Sequence, residues 1–199
     1  VQSLQLSEGY LELGELFTGK SATPEDLDQL FNESLRLITP LNGGSPGDVE
    51  VAVLLCRSLT HLGALERDEG KWSSGYRMVT RGIESLGIAL AAHPDHVAGH
   101  LFLAEARLEH LKFLDGDRED SVKIALKGVK SAETADELLS DSSLVAEPMR
   151  SRFRERLSGI FLTYGEVCGR LGETVLSDRC RERAIVEVTS LDGDAGGPE

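Results

Sequence analysis

A chain of 199 residues with 40% apolar residues is long enough to bury a core, and an aromatic share of only 5% leaves that core to aliphatic helix formers. A formal net charge of −13 argues against general binding to nucleic acid backbones, and no run approaches the roughly 18 apolar residues of a membrane span. The charge is uneven: residues 1–50 carry Lys20 and Arg36 against nine acids, while residues 151–199 carry seven arginines and no lysine.

In chain order, residues 2–17 are predicted as a first helix, with Leu4, Leu6, Tyr10, Leu13 and Phe17 near helical spacing and Gly19 at its end. Thr23 caps a second helix, with Pro24 at its first position and Asp26 in its first turn. Leu27, Leu30, Phe31, Leu35 and Ile38 run along it, and Pro40 follows its end. Residues 42–47 (NGGSPG) read as a loop. Asp48 caps a third helix that carries Val51, Leu55, Leu59, Leu62 and Leu65 and ends near Glu69 and Gly70. The fourth helix starts near Lys71 with a regular stripe of Trp72, Tyr76, Val79, Ile83, Leu86 and Leu90. Gly75, Gly82 and Gly87 lie inside it. A helical glycine costs roughly 1 kcal/mol against alanine, so all three imply close approach of another helix.

His93 and Pro94 break the chain, and Asp95 is expected to cap a fifth helix with Val97, Leu101, Ala104, Leu108 and Leu111. Asp115, Gly116 and Asp117 turn into a sixth, with Val122, Leu126 and Val129, that runs to Leu139. A polar break at 140–143 precedes a seventh helix, predicted from Glu147 to Leu171 through Met149, Phe153, Leu157, Ile160, Phe161 and Tyr164. Gly172 turns the chain into an eighth, with Leu176, Cys180, Ala184, Val188 and Leu191. No strand pattern intervenes. The expected architecture is all-α: eight antiparallel helices in four hairpins, as one domain over 1–191 with a disordered acidic tail at 192–199. The opening on Val1 rather than Met reads as a segment of a longer protein or a processed chain.

One short pattern recurs in the first helix of each hairpin: bulky apolar, two residues, apolar, small, two residues, last position. Tyr10, Leu13, Gly14 and Phe17 form one copy; Leu59, Leu62, Gly63 and Glu66 a second; His100, Leu103, Ala104 and Arg107 a weak third; Phe161, Tyr164, Gly165 and Cys168 a fourth. In the last hairpin Gly172 sits at the turn, and Ser177 and Ala184 fall at small positions of the second helix. With Pro40 and Pro94 closing the first two, this pattern resembles the tetratricopeptide repeat. The copies start 49, 41 and 61 residues apart rather than at the family's constant 34 or so, and His100 stands where a bulky apolar residue belongs. The resemblance implies a right-handed superhelix of hairpins; a helical bundle is the alternative. It also implies a peptide-binding groove lined by the first helices. Facing that groove would be Glu8, Glu12, Glu15, Arg57, Thr60, His61, Ala64, Arg67, Glu105, Glu109 and Glu166. The Asn and Lys set that clamps a C-terminal carboxylate in some relatives is absent. The acidic lining favours a protein or peptide ligand of basic or mixed charge.

Two other clusters stand out. Arg150, Arg152, Arg154 and Arg156, with Arg179 and Arg183, could dock an acidic partner. The acidic first hairpin of another copy would be one, giving self-association through the C-terminal hairpin. His96 and His100 share a helix face, and with His93 or Glu105 they could hold a metal ion. Against a metal stand the lack of a nearby Cys, the lack of the Glu of a zinc protease, and the use of His93 in the helix break. Cys56, Cys168 and Cys180 read as buried reduced thiols, and the Asn32 sequon as chance. No phosphate loop, nucleophile elbow or kinase signature occurs. The reading is a non-catalytic, cytoplasmic protein–protein interaction module, a scaffold or adaptor without cofactor, nucleic acid or membrane. The alternative is a helical metal-binding protein or enzyme built on His93, His96 and His100.

Overall fold

Side-chain caps decide where four of the described helices begin. Thr23 and Asp26 form a reciprocal capping box, with the Asp26 N–H on Thr23 Oγ1 at 3.2 Å and the Thr23 N–H on Asp26 Oδ2 at 3.1 Å. Asp48 Oδ1 accepts the N–H groups of Glu50 and Val51, and Asp117 Oδ1 accepts that of Asp120. The computed structural model describes residues 2–18, 20, 22–45, 47–114, 117–141 and 144–194, with side chains to Glu187. Among the described residues are eight helices and no strand. They are α1 (Gln2–Phe17), α2 (Pro24–Gly44), α3 (Val49–Asp68), α4 (Trp72–Ala92), α5 (Val97–Leu111), α6 (Arg118–Leu139), α7 (Glu147–Leu171) and α8 (Thr174–Asp194). The all-α class is therefore as the sequence indicates. α7 ends at Gly172, whose φ of 82° is open to glycine at little cost.

Two helix ends differ from expectation. α2 does not stop before Pro40: the ring removes one ladder bond, yet the helix continues to Gly44 and closes with the Ser45 N–H on the Leu41 carbonyl at 3.0 Å. Asn42, Gly43 and Gly44 are thus helical rather than loop. α5 is capped by His96 rather than Asp95, through Nδ1, which accepts the Gly99 N–H at 3.0 Å. Gly19, Pro46, Asp115, Gly116, Ser142 and Ser143, expected in turns and breaks, lie outside the described residues, as do the side chains of Val188 and Leu191. Of the expected tail, 192–194 close α8 and 195–199 lie outside the described residues.

Contacts divide the chain into two compact units, Val1–Pro94 and Asp95–Glu199. Each is built to the same plan. In the first, α1 pairs with α2 and α3 with α4, α2 packs on α3, and α1 touches α3. In the second, α5 pairs with α6 and α7 with α8, α6 packs on α7, and α5 touches α7.

The core of the first unit gathers Leu11, Leu27, Phe31, Ile38, Val51, Leu54, Leu55, Leu59 and Leu62. Small residues let the helices meet. The Phe31 ring occupies the space a side chain at Gly14 would need. A Cβ on Gly63 would lie 2.9 Å from the Gly75 carbonyl oxygen, and one on Gly82 would lie 3.2 Å from Cys56 Cα. A buried hydroxyl chain then ties α1 to α2 and α2 to α3: Ser7 Oγ to Ser34 Oγ at 2.9 Å, and Ser34 Oγ to Ser58 Oγ at 2.8 Å. Gly87, also expected at a close approach, faces open space.

The face that α1 buries is only partly the predicted one: Gly14, the small position of the repeat pattern, and Leu4 turn inward as expected, but most of the bulky stripe does not. Ser7, Leu11 and Gly14 are buried and Leu4 packs beside them, whereas Leu6, Leu13 and Phe17 are 53, 44 and 42% exposed. The bulky stripe lies on the opposite side because the inner face needs small residues to admit Phe31 and Ser34. Trp72 and Tyr76 of α4, Leu126 of α6 and Met149 of α7 are likewise exposed.

In the second unit Tyr164 is the central side chain. Its ring lies on Gly128 and its hydroxyl donates to the Ala104 carbonyl at 2.7 Å. Gly165 sits where a Cβ would be 3.3 Å from the Ser177 carbonyl, while Ser177 Oγ donates to the Gly165 carbonyl at 2.7 Å. The last copy of the repeat pattern is therefore fully used in packing: Phe161, Tyr164, Gly165 and Cys168 are all buried.

A methyl group tests the close approach. Gly63→Ala would meet the α4 backbone and is expected to destabilise the first unit by about 1–3 kcal/mol. Gly87→Ala, in open space on a helix, is expected to stabilise it by about 0.5–1 kcal/mol. Urea unfolding followed by the fluorescence of Trp72, the one tryptophan, reads both.

Candidate functional site

The residues expected to face a groove fall in both units, and most are committed within them. In the first unit Glu15 on α1 receives Arg57 Nε at 3.2 Å and Arg57 Nη2 at 2.9 Å, a forked pair with α3. His61 Nε2 lies 3.0 Å from the same carboxylate, and its ring stacks on Phe31 with centroids 4.5 Å apart. Three expected ligand-facing residues thus form an α1–α3 clasp. Arg67 pairs with Asp68 at 2.8 Å, and Glu8 and Glu12 are exposed.

In the second unit Arg156 forks onto Glu105 at 2.9 and 2.7 Å and lies over the Phe102 ring at 4.7 Å. Glu109 is buried and meets Lys112 at 2.7 Å, and Glu166 is exposed. Four arginines of the cluster, Arg150, Arg156, Arg179 and Arg183, are spent in the same way. Arg179 reaches Glu133 and Arg183 reaches Asp136, each at 2.5 Å, tying α8 to α6. Arg150 holds Glu147 and the Val145 carbonyl. Arg152 is exposed and Arg154 half-buried.

His96 Nδ1 is engaged in capping α5, and His93 ends α4. Among the described residues no three of His, Cys, Asp or Glu are grouped to hold a metal ion, so the alternative built on His93, His96 and His100 has no site behind it. No helix among the described residues is long and apolar enough to cross a membrane.

Sequence reasoning missed one feature altogether. The bulky residues of α1 form an outward stripe of Leu6, Tyr10, Leu13, Leu16 and Phe17 on a helix whose other face is already packed. A groove of about 740 Å³ between α1 and α2 is lined by Tyr10, Phe17, Ala22, Asp26, Gln29, Leu30 and Glu33. A second depression of about 550 Å³ runs along α1 over Leu6, Gly9, Tyr10, Glu12, Leu13 and Leu16. Tyr10 belongs to both. The apolar spacing was legible, but its direction depended on which side α2 takes.

The second unit also holds an unusual carboxylate. Burial raises the Glu187 carboxyl to about 8, aided by a hydrogen bond and the negative charge of Asp136 and opposed by Arg154 and Arg183. Between α7 and α8, a hydrogen bond between the buried thiols of Cys168 and Cys180 lowers the first and raises the second. Burial keeps the His110 imidazole below its ordinary value, with Arg107 adding to the effect.

Neither a protein-family model nor a curated protein matches the sequence. Among solved structures the chain is similar to the de novo designed helical repeat protein DHR64, at 15% identity and a TM-score of 0.45, covering 96% of this chain and 91% of that one. It is also similar to the DHF58 filament, at 16% identity and a TM-score of 0.44, covering 97% and 94%.

The raised Glu187 carboxyl makes a pH prediction. The folded chain keeps a proton that the unfolded chain releases above the ordinary 4.5, so this group costs stability increasingly from pH 4.5 to about 8. Glu187→Gln is expected to exceed the parent by more than about 1 kcal/mol at pH 8, with the gap shrinking toward pH 4.5. Urea unfolding followed by circular dichroism across that range reads it.

Proposed function

We propose that the protein is a non-catalytic helical-repeat module, a scaffold or adaptor that binds another protein through the outer face of its first hairpin. The observation that carries this reading is the bare apolar stripe of α1, with Leu6, Leu13, Leu16 and Phe17 between 42 and 56% exposed on one helix. A contiguous apolar surface of that kind, edged by charged residues, is characteristic of protein contact sites. The repeated hairpin plan of the two units supports the likeness to tetratricopeptide repeats at the level of stacking. Ligand recognition is assigned to the outer surface of α1 and α2, because Glu15, Arg57, His61 and Glu105 are occupied inside their units. Three buried free thiols fit a reducing compartment such as the cytoplasm.

A photo-crosslinking residue placed at Leu13, with a second at exposed Glu84 of α4 as control, tests the reading in cells. A discrete protein adduct at Leu13 and none at Glu84 is the expected outcome. The same adducts at both positions, or none at Leu13, would contradict it.

A further inference from the structure

We infer that the outer face of α1 and α2 is a seat for a single amphipathic helix of another protein, one whose apolar stripe is flanked by lysine or arginine. This rests on the module reading above and adds the class of partner.

The shape argument comes from the chain itself. Tyr10, Leu13 and Gly14 stand at the same pattern positions as Leu59, Leu62 and Gly63 on α3, and as Phe161, Tyr164 and Gly165 on α7. On α3 and α7 these positions are buried, with α2 packed on α3 and α6 packed on α7. In every case it is a helix that covers them. On α1 the small position, Gly14, is filled by Phe31, but the two bulky positions, Tyr10 and Leu13, line open grooves. From Leu6 to Phe17 the stripe is about 16 Å long at 1.5 Å per residue, or three turns of an occupant helix. Recognition of this kind reads apolar anchors at i, i+3, i+4 and i+7.

The charge argument selects the occupant. Glu12 on α1 and Asp26 on α2 are exposed beside the apolar floor, with Glu33 lining the groove. The Thr23 backbone and hydroxyl hold the Asp26 carboxyl below its ordinary value, so it stays anionic. Arg36 is paired with Glu33 at 2.9 Å. A basic helix would therefore be drawn to this face and an acidic one repelled. A second copy is the weaker candidate, because Arg156, Arg179 and Arg183 are used on acids of their own unit.

The test uses the whole chain and a fluorescent synthetic Leu/Lys helix with an i, i+3, i+4, i+7 apolar stripe. Controls are a Leu/Glu helix of the same pattern and a scrambled Leu/Lys peptide with no apolar face. Anisotropy is expected to show binding of the first only, weakening with added salt. The Leu13→Glu, Leu16→Glu double variant adds negative charge yet should lose at least tenfold in affinity. Neither residue is in the core, and circular dichroism confirms that the variant folds. Glu12→Lys with Glu33→Lys should also weaken binding at least tenfold and flatten the salt dependence. Equal binding of the scrambled peptide, or unchanged affinity in both variants, overturns the inference. So does a concentration-dependent rise in mass that Leu13→Glu, Leu16→Glu abolishes, which would make a second copy the occupant. A specific cross-link at Leu13 without binding of the Leu/Lys helix would keep the module and overturn this class of partner.

Discussion

Two helices can approach closely only where a side chain is missing, and the packing of both units depends on that constraint. Gly63 admits the backbone of α4 at Gly75, Gly82 admits α3 at Cys56, and Gly165 admits α8 at Ser177. Gly14 and Gly128 admit rings instead, those of Phe31 and Tyr164. A small residue thus does one of two things here. Opposite backbone it sets the interhelix distance; opposite an aromatic it makes the socket for that ring. Buried hydroxyls then hold the contacts in register, through Ser7, Ser34 and Ser58 in one unit and Ser158 and Ser177 in the other.

Electrostatics follow from this packing. With helices held close, the acids and arginines along their edges are near enough to pair. Glu15 with Arg57, Glu105 with Arg156, Glu133 with Arg179 and Asp136 with Arg183 all cross between helices. The arginine-rich C-terminal hairpin is therefore less a basic surface than a set of internal ties. The first hairpin stays acidic and partly apolar on its outside.

Helix number and most caps were legible because periodicity and capping residues are local signals. Trp72 to Leu90 showed a helix, and Thr23 and Asp48 showed where two others start. The faces were harder to read. In α1 the sequence pattern puts the bulky residues on the core side with Gly14, because hydropathy ranks Leu6 and Tyr10 above Ser7. Burial went the other way, since the partner helix brings Phe31 to the small side. Pro40 misled for a related reason: one lost ladder bond is a small loss for a helix anchored by Phe31 and Ile38. The candidate groove residues were placed on the correct helices, but pairing such as Glu15 with Arg57 joins residues 42 apart and has no local signature.

The account turns on which face of α1 is covered. Thiol labelling of two single variants, Ser7→Cys and Leu13→Cys, measures it directly against the three native cysteines, all of which are buried. The account predicts that the Leu13→Cys thiol reacts with maleimide in the folded protein at close to the rate of a free thiol, while the Ser7→Cys thiol reacts only on unfolding. Protection of the Leu13→Cys thiol together with rapid labelling of the Ser7→Cys thiol would contradict it.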